Sequence, residues 1–131
     1  MPRINAKKAR CGDLIFDSTG ERDRYIELKE LERRGDIRDL QCQPRFILQP
    51  RFKNLFTGKW VAAITYTADF QYVKWTKLQN GLNTASLVVE DWKGYLKREQ
   101  RLSIKMFMFQ HQDIEFVLTG PASKTKTGRK R

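Results

Sequence analysis

Two acids and a lysine, spaced along two predicted strands, are the residues in this chain most suited to chemistry. Asp69 lies within residues 64–72, and Asp91 and Lys93 close residues 86–94. Both segments are rich in the β-branched and aromatic residues typical of strands. Because side chains alternate along a strand, Asp91 and Lys93 share one face. Beside an acid of a neighbouring strand, this pair could hold a divalent ion and position a phosphate oxygen, the minimum equipment for metal-assisted phosphodiester hydrolysis.

The first half of the chain predicts one helix followed by strands. Ser18 and Glu21 fit a capping box, and Gly35 is a suitable stop, so a helix is expected from Ser18 to about residue 34. An extended segment follows around residues 41–48, with Pro44 at a strand edge or beginning. A long strand from Trp60 to Val73 is expected to carry Asp69.

The second half completes the pattern. An Asn80-Gly81 turn leads into the strand that carries Asp91. A second helix is expected over residues 96–109 and a short final strand over residues 114–118. On that helix we expect Leu102, Met106 and Phe109 to face inward, and Arg98, Arg101 and Lys105 to form a basic stripe. The order α-β-β-β-α-β predicts an α/β fold with a mixed central sheet flanked by helices.

Length and composition favour one folded domain within basic ends. The 131 residues are 40% hydrophobic, and no apolar run approaches the roughly 20 residues of a membrane span. Cys11 and Cys42 are isolated, which excludes a cysteine zinc site and a disulfide framework and favours an intracellular setting. We expect a basic N-terminal arm over residues 1–15, the domain over residues 16–120 and a basic tail over residues 121–131.

The net charge of +11 is concentrated at the two ends. Residues 1–10 and 121–131 contain no acid and together carry nine of these charges, which leaves +2 for residues 11–120. Basic arms suit a polyanion through counterion release, which favours nucleic acid as the partner. A solubilising tail or a localisation signal is the alternative for residues 124–131.

These residues and their order resemble the PD-(D/E)XK nuclease superfamily, with its restriction-endonuclease-like core. Within it, the chain looks most like small phage-encoded endonucleases of the Holliday-junction-resolvase type. The similarity covers residues 16–94 and extends with the following helix and strand to about residue 118. Its local matches are Phe16-Asp17-Ser18 with Glu21, Gln41-Cys42-Gln43-Pro44, Tyr66-Thr67-Ala68-Asp69-Phe70 and Val89-Glu90-Asp91-Trp92-Lys93-Gly94. The chain departs from the motif where Ala68 replaces its proline and Asp91 replaces the commoner glutamate.

The resemblance implies roles for these residues. Asp69 and Asp91 would coordinate Mg²⁺, or Mn²⁺, and Lys93 would orient the attacking water or stabilise charge on the phosphate. Glu21 would reach the site from the first helix. The resemblance also implies a DNA substrate, a homodimer that makes paired incisions, and the host cytoplasm as the setting of a phage-encoded enzyme. Oxygen ligands suit Mg²⁺ or Mn²⁺ and disfavour zinc. The residues expected to contact nucleic acid are Gln43, Arg98, Arg101, Lys105, Lys124, Lys126, Arg129, Lys130 and Arg131.

Several residues have competing explanations. Glu21 can cap its own helix instead of serving the site, and Asp17 is its neighbouring alternative. Glu90 points to the opposite face from Asp91 if alternation holds, and becomes a ligand only if the strand bulges. His111, the sole histidine, is interpreted as an incidental loop residue. The three tryptophans are expected in the core or an interface rather than as stacking platforms for bases.

Two other functional classes compete with the nuclease hypothesis. A non-catalytic nucleic-acid-binding protein would use the same basic residues, with its acids serving structure alone. A phage interaction protein would use a nuclease-like fold only as a scaffold. The first of these alternatives predicts binding that needs no divalent ion and survives Asp91→Asn.

Overall fold

The computed structural model describes residues 9–124, and only the backbone of residues 9–11. Its helices are α1 (Thr19–Arg34) and α2 (Arg98–Gln110), and a short 3-10 turn at Pro121–Lys124 ends the described region. Its strands are β1 (Ala9–Cys11), β2 (Leu14–Phe16), β3 (Ile37–Cys42), β4 (Arg45–Gln49), β5 (Phe52–Lys53), β6 (Trp60–Val61), β7 (Ile64–Thr67), β8 (Phe70–Lys77), β9 (Asn83–Trp92) and β10 (Glu115–Thr119).

A four-stranded mixed sheet with the order β10-β9-β8-β3 forms the centre of the fold. β3, β8 and β9 pair antiparallel, whereas β10 runs parallel to β9 because the chain returns through α2. Taken along the chain, α1, β3, β8, β9, α2 and β10 follow the order α-β-β-β-α-β. The predicted α/β core with a mixed sheet is therefore confirmed.

Three short strand pairs lie outside the central sheet: β1 with β2, β4 with β7, and β5 with β6. The single strand predicted from Trp60 to Val73 is wrong, since it is divided into β6, β7 and β8. Asp69 lies between β7 and β8, where the chain leaves one pair for the central sheet. Aspartate is disfavoured inside strands, and this one bonds to a backbone N–H of β9 instead of occupying the ladder. The hairpin β1–β2 contacts α1, and all of it except Phe16 lies within the segment predicted as the N-terminal arm.

The core has two layers because successive side chains of β9 point to opposite faces of the sheet. One cluster lies against α1 and contains Phe16, Leu28, Ile37, Phe70, Tyr72 and Val88. The other lies against α2 and contains Leu48, Tyr66, Ala68, Val89, Ile104 and Phe107. The adjacent residues Val88 and Val89 therefore belong to different layers, one on each face of the sheet.

The helix termini agree with the sequence signals, whereas the inward face of α2 does not. Gly35 ends α1 at φ 87°, a left-handed conformation that favours glycine. The buried residues of α2 are Ile104 and Phe107, and the predicted inward residues Leu102 and Phe109 are exposed. The face is displaced because α2 packs on β4 and β7, strand segments that the sequence did not separate. Within residues 9–124, neither helix is long and apolar enough to cross a membrane.

Candidate active site

The register of the β8–β9 hairpin brings Asp69 and Asp91 together. The ladder pairs Phe70 with Glu90, and one further step outward places Asp69 opposite Asp91. Directly opposed residues of an antiparallel pair point to the same face. The Trp92 N–H donates to Asp69 Oδ2 at 2.7 Å, which fixes this carboxylate at the end of β9. Two acids separated by 21 residues in sequence are thus neighbours.

Asp91 is fully buried and is held by two side chains. Lys93 Nζ donates to its Oδ1 at 3.1 Å, and the Tyr66 hydroxyl donates to its Oδ2 at 2.6 Å. Burial, followed by the charge of Asp91, raises the pKa of Tyr66, so this hydroxyl remains a donor. Sequence reasoning missed Tyr66 as a site residue. Its only signal was that a tyrosine on a buried face needs a partner for its hydroxyl.

Asp69 is the aspartate of this pair whose negative charge is disfavoured by its surroundings. Burial raises its pKa to about 9, and its hydrogen bond with the Asp91 carboxyl and the charges of Asp91 and Glu21 act in the same direction. The backbone N–H of Trp92 opposes them. Two close carboxylates in a poorly solvated place resist ionising together. Asp69 therefore keeps its proton to a higher pH than an ordinary aspartate does.

Glu21 turns its carboxylate toward the two aspartates. It is 5% exposed, and within the described chain its buried Oε2 has no hydrogen-bond partner. The helix cap uses the Ser18 side chain, whose Oγ accepts from the Glu21 N–H at 3.1 Å. Burial raises the pKa of Glu21, with the charges of Asp17 and Asp91 in the same direction, whereas contact with Asp69 and the charge of Lys93 lower it. Helix capping therefore does not account for this carboxylate.

Glu90 lies on the opposite face from Asp91, as strict alternation predicts, and serves the fold. Its Oε1 accepts from the Tyr72 hydroxyl at 2.7 Å and from Arg24 Nη2 at 3.0 Å, and its Oε2 accepts from Thr119 Oγ1. Arg24 lies one helical turn beyond Glu21 on α1. This ion pair, whose carboxylate is fully buried, therefore anchors α1 to β9 and fixes where Glu21 points.

Trp92 is fitted between two glycines that allow α1 and the end of β10 to approach β9. A Cβ at Gly20 would lie 2.0 Å from the Trp92 ring, and one at Gly120 would lie 2.6 Å from the Lys93 carbonyl oxygen. The Lys93 N–H also donates to the Thr119 carbonyl at 3.0 Å. The backbone on both sides of Asp91 is thereby held in place.

The donor set suits a hard divalent cation. No three His, Cys, Asp or Glu side chains in residues 9–124 form a ready-made metal site. Mg²⁺ typically needs only one or two carboxylates and retains several waters. Asp69 and Asp91 supply these carboxylates, and the unpartnered oxygen of Glu21 lies beside them. Burial and the neighbouring carboxylates both raise the pKa of Asp69, and a bound cation would offset both effects. The residues therefore fit Mg²⁺ or Mn²⁺.

The predicted nucleic-acid contacts divide into residues near the cluster and residues away from it. The Gln43 N–H donates to the Asp69 carbonyl at 2.8 Å, and Gln43 has the unusual φ of 59°. Lys124 lines a groove with Gly20, Trp92 and Thr119. Arg98, Arg101 and Lys105 are exposed on α2. Lys126, Arg129, Lys130 and Arg131 lie outside the described residues.

A cleft of about 210 Å³ opens beside the cluster, and the basic stripe of α2 does not line it. Its lining residues are Thr65, Tyr66, Thr67, Lys93, Glu99, Gln100 and Ser103. The α2 residues that line this cleft together with Lys93 are therefore polar or acidic. His111, at the end of α2, packs against the rings of Phe46 and Phe107 and has a structural place there.

Comparison with known proteins identifies the family of this chain. No curated protein and no solved structure matches it. A family model described as "Protein of unknown function (DUF1064)" matches residues 1–126, nearly the whole sequence. The chain therefore belongs to the DUF1064 family.

Proposed function

We propose that this protein is a Mg²⁺-dependent DNA endonuclease, with Glu21, Asp69, Asp91 and Lys93 as its active site. One observation carries the proposal: Asp69, Asp91 and Lys93 come together at one end of the central sheet, and the buried Glu21 faces them from α1. Resemblance to the PD-(D/E)XK nucleases assigns the same four residues and supports the same chemistry. Branched, Holliday-junction-like or other phage DNA is the proposed substrate.

Each residue has a physical task in this proposal. Asp69 and Asp91 would hold Mg²⁺, which when bound would polarise a phosphoryl oxygen and lower the pKa of the attacking water. Lys93 faces the cleft, where its ammonium group stabilises charge that develops on the phosphate. The Tyr66 hydroxyl and the Trp92 N–H hold the two carboxylates in fixed orientations. Hydrolysis proceeds by in-line attack without a covalent intermediate.

Binding of the substrate is assigned to surfaces around this site. The exposed residues Arg98, Arg101 and Lys105, with the basic ends of the chain, supply sequence-independent attraction to phosphates. Paired incisions at a junction require two active sites, so we propose a C2 homodimer. The intracellular compartment expected from the isolated cysteines accords with a phage DNA substrate.

The test is to incubate the purified protein with linear, flapped and four-way DNA in Mg²⁺ or in EDTA. We expect the wild type to cleave DNA in Mg²⁺ but not in EDTA. We expect no cleavage by Asp91→Asn, a substitution that retains the shape of the side chain. Asp113→Asn is the matched control, because Asp113 is an exposed residue before β10, at the far end of the sheet. DNA binding without cleavage by any form would favour the non-catalytic binding protein. Absence of both would favour the interaction protein.

A further inference from the structure

An apolar hairpin formed by β5, β6 and their turn stands outside both core layers. Its two tip residues are almost entirely solvent-exposed, with Leu55 at 86% and Phe56 at 101% of full exposure. Phe52, Trp60 and Val61 on its strands are also exposed. Neither core cluster includes any of these five residues. A group of large apolar side chains that the core does not use marks an interaction site.

The tip of this hairpin is held in a fixed conformation. Asn54 Oδ1 accepts from the N–H groups of Phe56 at 2.9 Å and Thr57 at 3.3 Å. The Asn54 N–H donates to the Lys59 carbonyl at 2.8 Å, and the Gly58 N–H donates back to Asn54 at 2.7 Å. Leu55 and Phe56 are thus presented by a hydrogen-bonded turn. Such preorganisation favours binding because little conformational freedom is lost.

The charge around the hairpin indicates its partner. Residues 43–68 contain Arg45, Arg51, Lys53 and Lys59 and no acid at all. The Arg51 guanidinium lies over the Trp60 ring, 4.1 Å from its centre. A second copy of this chain would present the same positive charges, which opposes self-association through this surface. A polyanion with flat apolar groups matches both features.

We propose that Phe56 and Leu55 form a wedge that inserts into DNA at an unstacked base step, while Arg51, Lys53 and Lys59 contact the flanking phosphates. The inference rests on DNA being the substrate of the proposed nuclease. Apolar side chains on rigid elements are known to enter base steps and unstack them. β7 leads from this hairpin directly to Asp69, and the 13 residues from Phe56 span at most about 47 Å. One DNA molecule can therefore contact both the wedge and the active site. A branch point is the preferred target, because its bases are already partly unstacked.

The test compares Phe56→Ala with Leu82→Ala. Both remove an exposed large apolar side chain from a hairpin turn, and neither touches the core. Leu82 lies at the opposite end of β9 from Asp91 and serves as the matched control. Binding to a linear duplex and to a four-way junction with 2-aminopurine at its branch is measured in EDTA, where no chemistry occurs. For Phe56→Ala we expect about 10-fold weaker junction binding and no increase in 2-aminopurine fluorescence on binding, because the base is no longer unstacked. Leu82→Ala should equal the wild type in both measurements.

The outcomes separate the wedge from the nuclease proposal. Equal junction affinity and an equal 2-aminopurine signal in wild type and Phe56→Ala would overturn the wedge, whether or not Mg²⁺ supports cleavage. Loss of a dimer in Phe56→Ala with unchanged DNA affinity would assign the hairpin to self-association and also overturn it. Phe56-dependent junction binding by a wild type that never cleaves in Mg²⁺ would refute the nuclease and support the wedge. A wild type that binds no DNA would refute both.

Discussion

Replacing Asp69 by Asn should stabilise the metal-free protein at neutral and alkaline pH. In the folded protein the pKa of Asp69 is about 9, against an ordinary value of 3.8. The unfolded chain therefore releases this proton near pH 4, whereas the folded protein keeps it until about pH 9. The stability of the wild type falls as the pH rises between these two values. Asn carries no such proton, and its amide oxygen still accepts from the Trp92 N–H.

The size of the effect follows from the same linkage. For a fully buried group that titrates independently, the free energy of unfolding would fall by about 1.4 kcal/mol per pH unit, or by about 4 kcal/mol between pH 3.8 and pH 7. Asp69 is only partly buried and lies against other carboxyl groups, so we expect a smaller difference of about 2 kcal/mol at pH 7. The advantage should vanish below about pH 4 and be greatest near pH 9.

Urea unfolding in EDTA at pH 4, 5.5, 7 and 9 measures this difference directly. Asp113→Asn is the control, because removing an exposed acid should leave the pH dependence of wild type unchanged. The reasoning is refuted if Asp69→Asn shows the wild-type pH dependence, or if it is less stable than wild type at pH 9. Either result would mean that burial and the neighbouring carboxyl groups do not raise the pKa of Asp69 in the folded protein.

Three further predictions test separate parts of the account. Glu90→Gln should cost about 2 kcal/mol of unfolding free energy, measured by urea titration, because the fully buried carboxylate accepts charged or hydroxyl donors from Arg24, Tyr72 and Thr119; a loss under about 1 kcal/mol would contradict the anchoring role. Mg²⁺ should bind more tightly as pH rises toward 9 and should release protons, since it competes with the proton on Asp69. Calorimetry in buffers of different ionisation enthalpy measures the affinity and the number of protons released, and an affinity that does not change with pH would contradict the prediction. Deleting residues 125–131, which leaves the Pro121–Lys124 turn intact, should lower the salt dependence of DNA affinity by up to about 3.6 logarithmic units per decade for four lost cations; an unchanged slope would remove the tail from the DNA interface.

The pairing of Asp69 with Asp91 was available from the sequence through the turn between them. Each lies eleven residues from Asn80, and a hairpin centred there places them opposite each other. The capping signal at Ser18 and the glycine at Gly35 likewise located α1 correctly. Local turn and cap residues were therefore sufficient to predict the central hairpin and the first helix.

Features that depend on packing between distant segments were not predictable in this way. The break between β7 and β8 arises because Asp69 bonds to Trp92 and Gln43, and no local pattern encodes those partners. The inward face of α2 depends on where β4 and β7 lie, so Leu102 and Phe109 were assigned wrongly. Tyr66 and the Arg24–Glu90 pair were missed because side chains from separate elements meet only after folding.

The most direct test of the central claim is the single-turnover rate of DNA cleavage in saturating Mg²⁺. Wild type, Asp69→Asn, Asp91→Asn and the Asp113→Asn control should be compared on the best-cleaved substrate, after each is shown to be folded and to bind it. We expect both site variants to lose at least about 10³-fold in rate, since each removes a ligand of the catalytic metal, while Asp113→Asn keeps the wild-type rate. Cleavage by either site variant at the wild-type rate would contradict the assignment of this carboxylate cluster as a nuclease active site.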